Sequence, residues 1–324
     1  MGLVENILKG DEKSAAQLIS QVEKGTKDAY VALSRLLPHT GRAHILGITG
    51  PPGAGKSTLA GRLAAAFAGS GRKVGVIATD PTSIGGRGAF LGDRLRMKEA
   101  EKKRIFIRSM AHRGYPGGLA KAAAGAMYVL EGLGKDVVIF ESVGAGQSEK
   151  GLSQLCDTVI TVFTSDYGDE IQLMKAGLME IGDVIVVNKA DRPGADEARR
   201  DLEIFPSRAA LSKDWHVPVL LTRADRGEGV DALIEVIQNH WRFLDESGKR
   251  DRKKKEKLGL FFMALLKEEF WQRLEERLKK DALFMNVLSD VHSGKIDPYS
   301  AMLKILDGVQ IAHKRREVVK KKPV

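Results

Sequence analysis

Eight residues constrain this chain more than any others. Gly50-Pro51-Pro52-Gly53-Ala54-Gly55-Lys56-Ser57 stand between an apolar run, HILGIT, and a helix-forming run, STLAGRLAAAFAGSG. The order of strand, glycine-rich turn and helix fits the pattern G-x-x-x-x-G-K-[ST] without a gap, in the context that gives the pattern its meaning. Glycines permit a tight turn whose backbone N–H groups converge on phosphate oxygens, and the dipole of the following helix adds favourable potential there. On this pattern Gly53, Ala54 and Gly55 form the cradle, Lys56 bridges terminal phosphate oxygens, and the Ser57 hydroxyl ligates Mg2+. Thr58, in the first helical turn, completes the set expected to touch the nucleotide.

Such a turn needs a sheet to carry it. From His44 onward, seven short apolar runs alternate with helical segments: HILGITG, KVGVIATD, RIFIRSM, DVVIFESVG, DTVITVFTS, DVIVVNKAD and VPVLLTRA. This describes an α/β fold, a mostly parallel sheet with helices on both faces. Ligands of such sheets bind beyond the carboxyl ends of the strands, and Gly, Ser, Thr, Asp, Glu and Asn collect there. Residues 1–40 read as an N-terminal helical extension that breaks at Pro38, Thr40 and Gly41. Residues 41–247 read as the nucleotide-binding domain, and 248–324 as a C-terminal helical arm. Asp297 is placed to cap the last helix, ahead of Pro298.

A second motif selects the base. Asn188-Lys189-Ala190-Asp191 follows the apolar run DVIVV. The Asp191 carboxylate can accept from both N1–H and the exocyclic amine of guanine, Asn188 ties this loop to the phosphate loop, and the Lys189 stem covers the base. Adenine leaves Asp191 unpaired, and sites built this way discriminate by roughly 10⁴. Thr222-Arg223-Ala224-Asp225, after VPVLL, is positioned to close over the base.

Between the two motifs lie the acids that would handle metal and water. Asp80 ends KVGVIATD, Asp93 lies in FLGDRLRM, and Glu141 ends DVVIFE. Asp80 also fits the cap of a turn before Pro81, and Asp93 also fits a helical ion pair with Arg94 or Arg96. A common GTPase carries D-x-x-G where this chain has Glu141-Ser142-Val143-Gly144; the longer side chain keeps a carboxylate within reach of Mg2+, directly or through water. Ala145 stands where a water-positioning glutamine is usual, with Gln147 nearby, so slow intrinsic hydrolysis is expected. Two glycine-rich stretches, IGGRGAFLGD and HRGYPGG, read as switches that order around γ-phosphate and Mg2+.

Composition narrows the setting. With 324 residues, 43% of them hydrophobic, the chain can bury one large core. No run approaches the roughly 18 apolar residues of a membrane span, and the N-terminal pattern lacks a signal-peptide core, which points to the cytoplasm. The Met-Gly start resembles a myristoylation site only superficially, because position 6 is Asn, and lipidation is not expected. Cys156, beside DTVITVF, reads as a small buried hydrophobe, and the seven histidines are scattered without ligand spacing. The net charge of +10 gathers in GKRDRKKKEK (248–257) and in the tail. Without interleaved aromatics this reads as a solvated helix face, so neither nucleic acid nor membrane is an expected partner.

The chain resembles the MeaB/ArgK-type GTPases that chaperone adenosylcobalamin-dependent acyl-CoA mutases. The resemblance is carried by LPHTGRAHILGITGPPGAGKSTL, DPTS with LGDRLRM, FIRSMAHRGYPGGLA, ESVGAGQSE, GDEIQLMKAGLMEIGD, VVNKAD and DPYSA. It implies a homodimer held partly by the C-terminal arm, and a complex with a methylmalonyl-CoA mutase-type enzyme in which GTP hydrolysis gates cofactor loading and protects the mutase. It also implies that Lys56 and Ser57 act on phosphate and metal, and that Asp80, Asp93 and Glu141 belong to the Mg2+ and switch machinery. Lys175, by the same resemblance, lies in a partner-responsive segment. Arg87 among the glycines after DPTS, and VFTSDYGDE ahead of Lys175, depart from the family pattern. The alternatives are a metal-insertion GTPase, which would need Cys/His cargo ligands, and a nucleotide-dependent scaffold with another client; a kinase would need an acceptor site and base that the sequence does not offer.

Overall fold

The computed structural model describes residues 2–80, 105–111, 118–142, 151, 153–165, 172–209 and 214–307. Its centre is a seven-stranded sheet of β1 (His44–Thr49), β2 (Val74–Asp80), β3 (Phe106–Ala111), β4 (Val137–Glu141), β5 (Thr158–Phe163), β6 (Val184–Asn188) and β7 (Val219–Thr222). The order is β3-β2-β4-β1-β5-β6-β7 and every neighbouring pair runs parallel. All seven runs read from the sequence are strands. The helices among the described residues include α1 (Leu3–Leu8), α2 (Glu12–Glu23), α3 (Lys27–Leu36), α4 (Lys56–Gly69), α5 (Gly118–Gly132), α6 (Gln172–Ile181), α7 (Ala195–Ala209), α8 (Val230–Glu246), α9 (Lys249–Leu278) and α10 (Ala282–His292).

The strands read as continuous apolar runs because both faces are covered. Leu46 and Ile48, Ile160 and Val162, and Val184 and Val186 alternate onto one face. There they pack against Leu59, Leu63 and Phe67 of α4 and Leu233 and Ile237 of α8. The intervening Ile185, Val187 and Phe163 face the other way, toward Leu178 of α6 and Leu202 of α7. The period-two split is the signature of a strand buried on both sides. The N-terminal helices pack on α5, whose glycines allow the approach: a Cβ at Gly125 would lie 2.5 Å from Val22 Cγ1. Cys156 is buried, and that burial pushes its thiol up to about 12.

Contacts divide the chain into two compact units, Met1–Ala264 and Leu265–Val324. The first stretch of α9 therefore belongs with the sheet, and its basic residues are not all solvated. Lys257 is buried and paired with Asp157, whose other carboxylate oxygen accepts from the Ile45 amide at 2.9 Å. In the second unit Asp297 caps the helical residues 298–307, accepting from Tyr299 and Ser300 amides at 3.0 Å. No helix among the described residues is long and apolar enough to cross a membrane.

Beneath the sheet, at the amino ends of β1 and β5, lies a buried polar chain. The Thr158 hydroxyl sits 2.7 Å from His44 Nε2 and 2.8 Å from His240 Nδ1, donating to one ring and accepting from the other. Trp241 stacks on His44 with ring centroids 4.1 Å apart. Burial first, and then the positive groups around it, hold the His44 pKa well below its ordinary value. Folded His44 thus stays neutral while the unfolded residue gains its proton as pH falls through about 6.5. Stability present above that pH should decline below it, by up to about 1.4 kcal/mol per pH unit until the depressed folded value is reached. Denaturant titrations between about pH 7 and about pH 5 should show a shallower decline for His44→Gln than for the native chain.

Candidate nucleotide site

At the carboxyl end of the central strand β1 the chain turns sharply. Gly50 has φ 144° and a Cβ there would lie 2.1 Å from the Val162 carbonyl oxygen, so no side chain fits between the turn and β5. Gly55, at φ 89°, directly precedes α4, and its Cβ would lie 2.3 Å from Asn188 Nδ2. These two positions need glycine for both conformation and space. Lys56 is buried, and its ammonium donates to the carbonyls of Gly50 at 2.8 Å and Pro51 at 2.9 Å, inside the turn. A cation is thereby held where phosphate oxygens would arrive, at the N-terminus of a 14-residue helix. Thr58 lies one residue further along α4, half-buried.

Ser57 and Glu141 come together although 84 positions separate them. β4 neighbours β1, with Ile48 level with Glu141, so the carboxylate at the end of β4 reaches the first turn of α4. The Ser57 hydroxyl donates to Glu141 Oε1, and Glu141 is buried. Next to it the Ser142 hydroxyl donates to Thr49 Oγ1 at 2.8 Å and the Ser142 amide to the Ile48 carbonyl at 2.9 Å, which pins the end of β4. A hydroxyl beside a carboxylate is a pair of hard oxygen donors, the chemistry that suits Mg2+.

The base side is built from the ends of β6 and β7. Asn188 is buried and uses both ends of its amide: Nδ2 donates to the Ala54 carbonyl at 2.8 Å, and Oδ1 accepts from Thr222 Oγ1 at 3.0 Å and the Ala224 amide at 3.1 Å. Lys189, in the left-handed region at φ 58°, stretches to the Gly53 carbonyl at 2.7 Å. Asp191 stays half exposed, with Arg223 Nε 3.3 Å from its Oδ1. The structure therefore brings Gly53, Ala54, Gly55, Lys56, Ser57, Glu141, Asn188, Lys189, Asp191, Thr222, Arg223 and Ala224 to one end of the sheet. Asp80 closes β2 and Lys175 lies on α6; only the backbone of each is described. Asp93, Arg87, Ala145 and Gln147, and the glycine-rich stretches around 84–93 and 113–117, lie outside the described residues.

One brace had no counterpart in the sequence reading. Arg62, on α4, donates from Nε to the Ala224 carbonyl at 2.9 Å and from its guanidinium to the Asp225 carbonyl. It ties the helix behind the phosphate turn to the loop behind the base. No local pattern marks it, since the partners are 162 and 163 positions away and are backbone atoms.

Residues 15–279 match the family described as methylmalonyl Co-A mutase-associated GTPase MeaB. The chain belongs to the MeaB family. A Pyrococcus horikoshii protein that is named a GTPase by inference is 41% identical over 95% of this chain and 97% of its own length. GTPase ArgK of Escherichia coli is 29% identical over 95% and 96%. A Caenorhabditis briggsae protein named methylmalonic aciduria type A homolog, mitochondrial, is 30% identical over 91% and 80%. The crystal structure of a LAO/AO transport system kinase superposes with TM-score 0.68 at 25% identity, covering 95% of this chain and 96% of that one. As a member of a GTPase family, this MeaB-family chain takes a guanine nucleotide.

Asn188→Ala would leave the Thr222 hydroxyl and Ala224 amide without their acceptor and the Ala54 carbonyl without its donor. Loss of about 2 kcal/mol of stability is expected, together with weaker nucleotide binding. Thermal unfolding with and without GDP measures both, and an unchanged ligand-induced rise in Tm would contradict the account.

Proposed function

We propose that this MeaB-family GTPase serves an adenosylcobalamin-dependent acyl-CoA mutase of the methylmalonyl-CoA type in the cytoplasm, where GTP hydrolysis gates cofactor loading and protects the mutase. The observation that carries this reading is the match to a methylmalonyl Co-A mutase-associated family over residues 15–279. The Caenorhabditis briggsae relative, whose name refers to methylmalonic aciduria, supports the same client class.

In the proposed chemistry the loop around Gly53, Ala54 and Gly55 presents its amides to the phosphates. Lys56 turns its ammonium from the Gly50 and Pro51 carbonyls to the β- and γ-phosphate oxygens. Ser57 and Glu141 would hold Mg2+, with Asp80 and Asp93 as further acids of the metal and switch machinery. The ion, when bound, neutralises charge that develops on the phosphates. Asn188 keeps the base loop in register with the phosphate loop, Lys189 lies over the base, and Asp191 reads the guanine edge. Lys175 is assigned to the segment that responds to the client. Slow intrinsic turnover follows from Ala145 standing in the place of a water-positioning glutamine, and the client is assigned its acceleration.

A homodimer formed partly through the C-terminal arm completes the proposal. Exposed apolar side chains support it: Phe270 is 66% exposed, Trp271 62% and Tyr299 68%, with Met285, Leu266 and Leu306 about half exposed. Aromatic and methionine side chains in such number on one unit favour a covering surface.

GTP turnover by the purified protein, alone and with an adenosylcobalamin-dependent acyl-CoA mutase from the same source, tests the client. The mutase should raise the rate, and Lys56→Ala should abolish hydrolysis in both conditions; no stimulation and no complex would remove the mutase from the proposal. Asp191→Asn tests the base assignment: an amide opposes the guanine amine but suits the oxygen at position 2 of xanthine. The variant should favour xanthosine over guanosine nucleotides in competition binding, and unchanged GDP affinity would count against Asp191.

A further inference from the structure

Asp191 is half exposed, and an exposed carboxylate turns about its terminal torsion in a broad, shallow well. Reading guanine requires both carboxylate oxygens in the plane of the base at once, one for N1–H and one for the exocyclic amine. Something must therefore hold the torsion, and the structure provides an arginine. Arg223 Nε lies 3.3 Å from Asp191 Oδ1, and Arg223 Nη1 lies 3.3 Å from Glu228 Oε2. The Arg223 side chain is only 21% exposed, whereas that of Asp191 is 49% and that of Glu228 55% exposed.

The backbone fixes the origin of that side chain. Thr222 and Ala224, on either side of Arg223, both donate to Asn188 Oδ1. The Arg223 amide donates to the Glu228 carbonyl at 3.0 Å across an isolated antiparallel bridge, so Glu228 is presented to Arg223 by a closed turn. On the other side the Ala190 amide donates to the Thr222 carbonyl at 3.0 Å, holding the Asp191 loop in register. Arg223 Nε makes no hydrogen bond to Asp191, and the contact is an ion pair: a guanidinium anchored by Glu228 at Nη1 draws Oδ1 toward one fixed side of the loop by charge. It engages Oδ1 alone, and a carboxylate has about four acceptor positions, so Oδ2 and the second lone pair of Oδ1 remain for the base.

We infer that Arg223 is a specificity-determining positioning residue: the chain Glu228–Arg223–Asp191 holds the base-reading carboxylate in the orientation that accepts both guanine N–H groups. The inference rests on the base-reading role of Asp191. Arg223 acts through Asp191, and its contribution belongs to the two-bond recognition of guanine more than to nucleotide affinity in general.

Inosine separates these, because it keeps N1–H and lacks the exocyclic amine. One bond to N1–H survives a rotated carboxylate; the second does not. Dissociation constants of GDP and IDP are measured for the native chain, Arg223→Ala, Glu228→Gln and Asp191→Asn, with Tm recorded for each. Arg223→Ala should weaken GDP about fivefold and IDP about twofold or less, in keeping with a partly exposed ion pair. Glu228→Gln should contract the GDP preference in the same direction by a smaller factor, and Arg223→Ala should cost no further preference in the Asp191→Asn background. Equal losses for GDP and IDP, or tighter GDP binding in Arg223→Ala, would overturn the positioning role while an altered preference in Asp191→Asn left the base assignment standing. Unchanged preference in Asp191→Asn would instead remove the base assignment, and Arg223 with it.

Discussion

One buried amide holds the nucleotide site together. Asn188, the last residue of β6, gives its donor to the turn after β1 and its acceptor to the turn after β7. Three loops are thereby fixed to one another to within hydrogen-bond tolerance. The link is tight enough that Gly55 cannot carry a side chain. In a buried setting such bonds matter less for their net strength than for the penalty of leaving any of the three partners unmade. The phosphate turn and the loops after β6 and β7 therefore form one unit. Lys189 reaching the Gly53 carbonyl and Arg62 reaching the Ala224 and Asp225 carbonyls reinforce the link from both sides.

The sheet gives the molecule two unlike ends. At the carboxyl ends, charged and amide groups are arranged toward a ligand: Lys56 within its turn, Glu141 beside Ser57, Asp191 beside Arg223. At the amino ends, polar groups are arranged toward one another. His44, Thr158 and His240 form a buried chain whose far end, His240 Nε2, lies 3.7 Å from Asp183 Oδ1, and Lys257 pairs with Asp157 out of water. A buried ion pair of this kind adds little net stability but is costly to break, so it favours one placement of the start of α9. That stretch lies with the sheet unit, past the position where composition alone suggested a boundary, because its lysines find carboxylates and Phe261 finds Tyr128 at a centroid distance of 5.3 Å.

Much of this was legible in the sequence, for reasons tied to particular residues. The seven apolar runs were readable because a strand buried on both faces must be apolar throughout, and the glycines at 50, 53 and 55 because no other residue suits such a turn. Asn188 was readable as the tie between its loop and the phosphate turn because it stands in N-K-x-D directly after an apolar strand, and Asp297 because a helix start needs an acceptor. Ser57 and Glu141 were both assigned to one ion, but their direct hydrogen bond was not readable, nor were Arg62 with Ala224, Arg223 with Asp191 and Thr158 with its two histidines. Each joins side chains or backbone atoms far apart in the chain, and nothing local distinguishes Arg62 from any other arginine on an amphipathic helix. The basic run 248–257 misled in one respect, since charge density in a sequence does not reveal which lysine will meet a buried carboxylate.

The sequence by itself determined the strand and helix alternation, the glycine-rich turn after β1 and the N-K-x-D loop after β6, because periodicity, glycine and hydrogen-bonding chemistry act within a few residues of each other. Only the tertiary structure decided the strand order, and with it everything that depends on neighbours. β4 beside β1 is what puts Glu141 against Ser57, and β7 beside β6 is what puts Arg223 against Asp191. Parallel pairing leaves the choice of neighbour to the packing of helices on both faces of the sheet, a global balance of buried area that no short stretch of residues records.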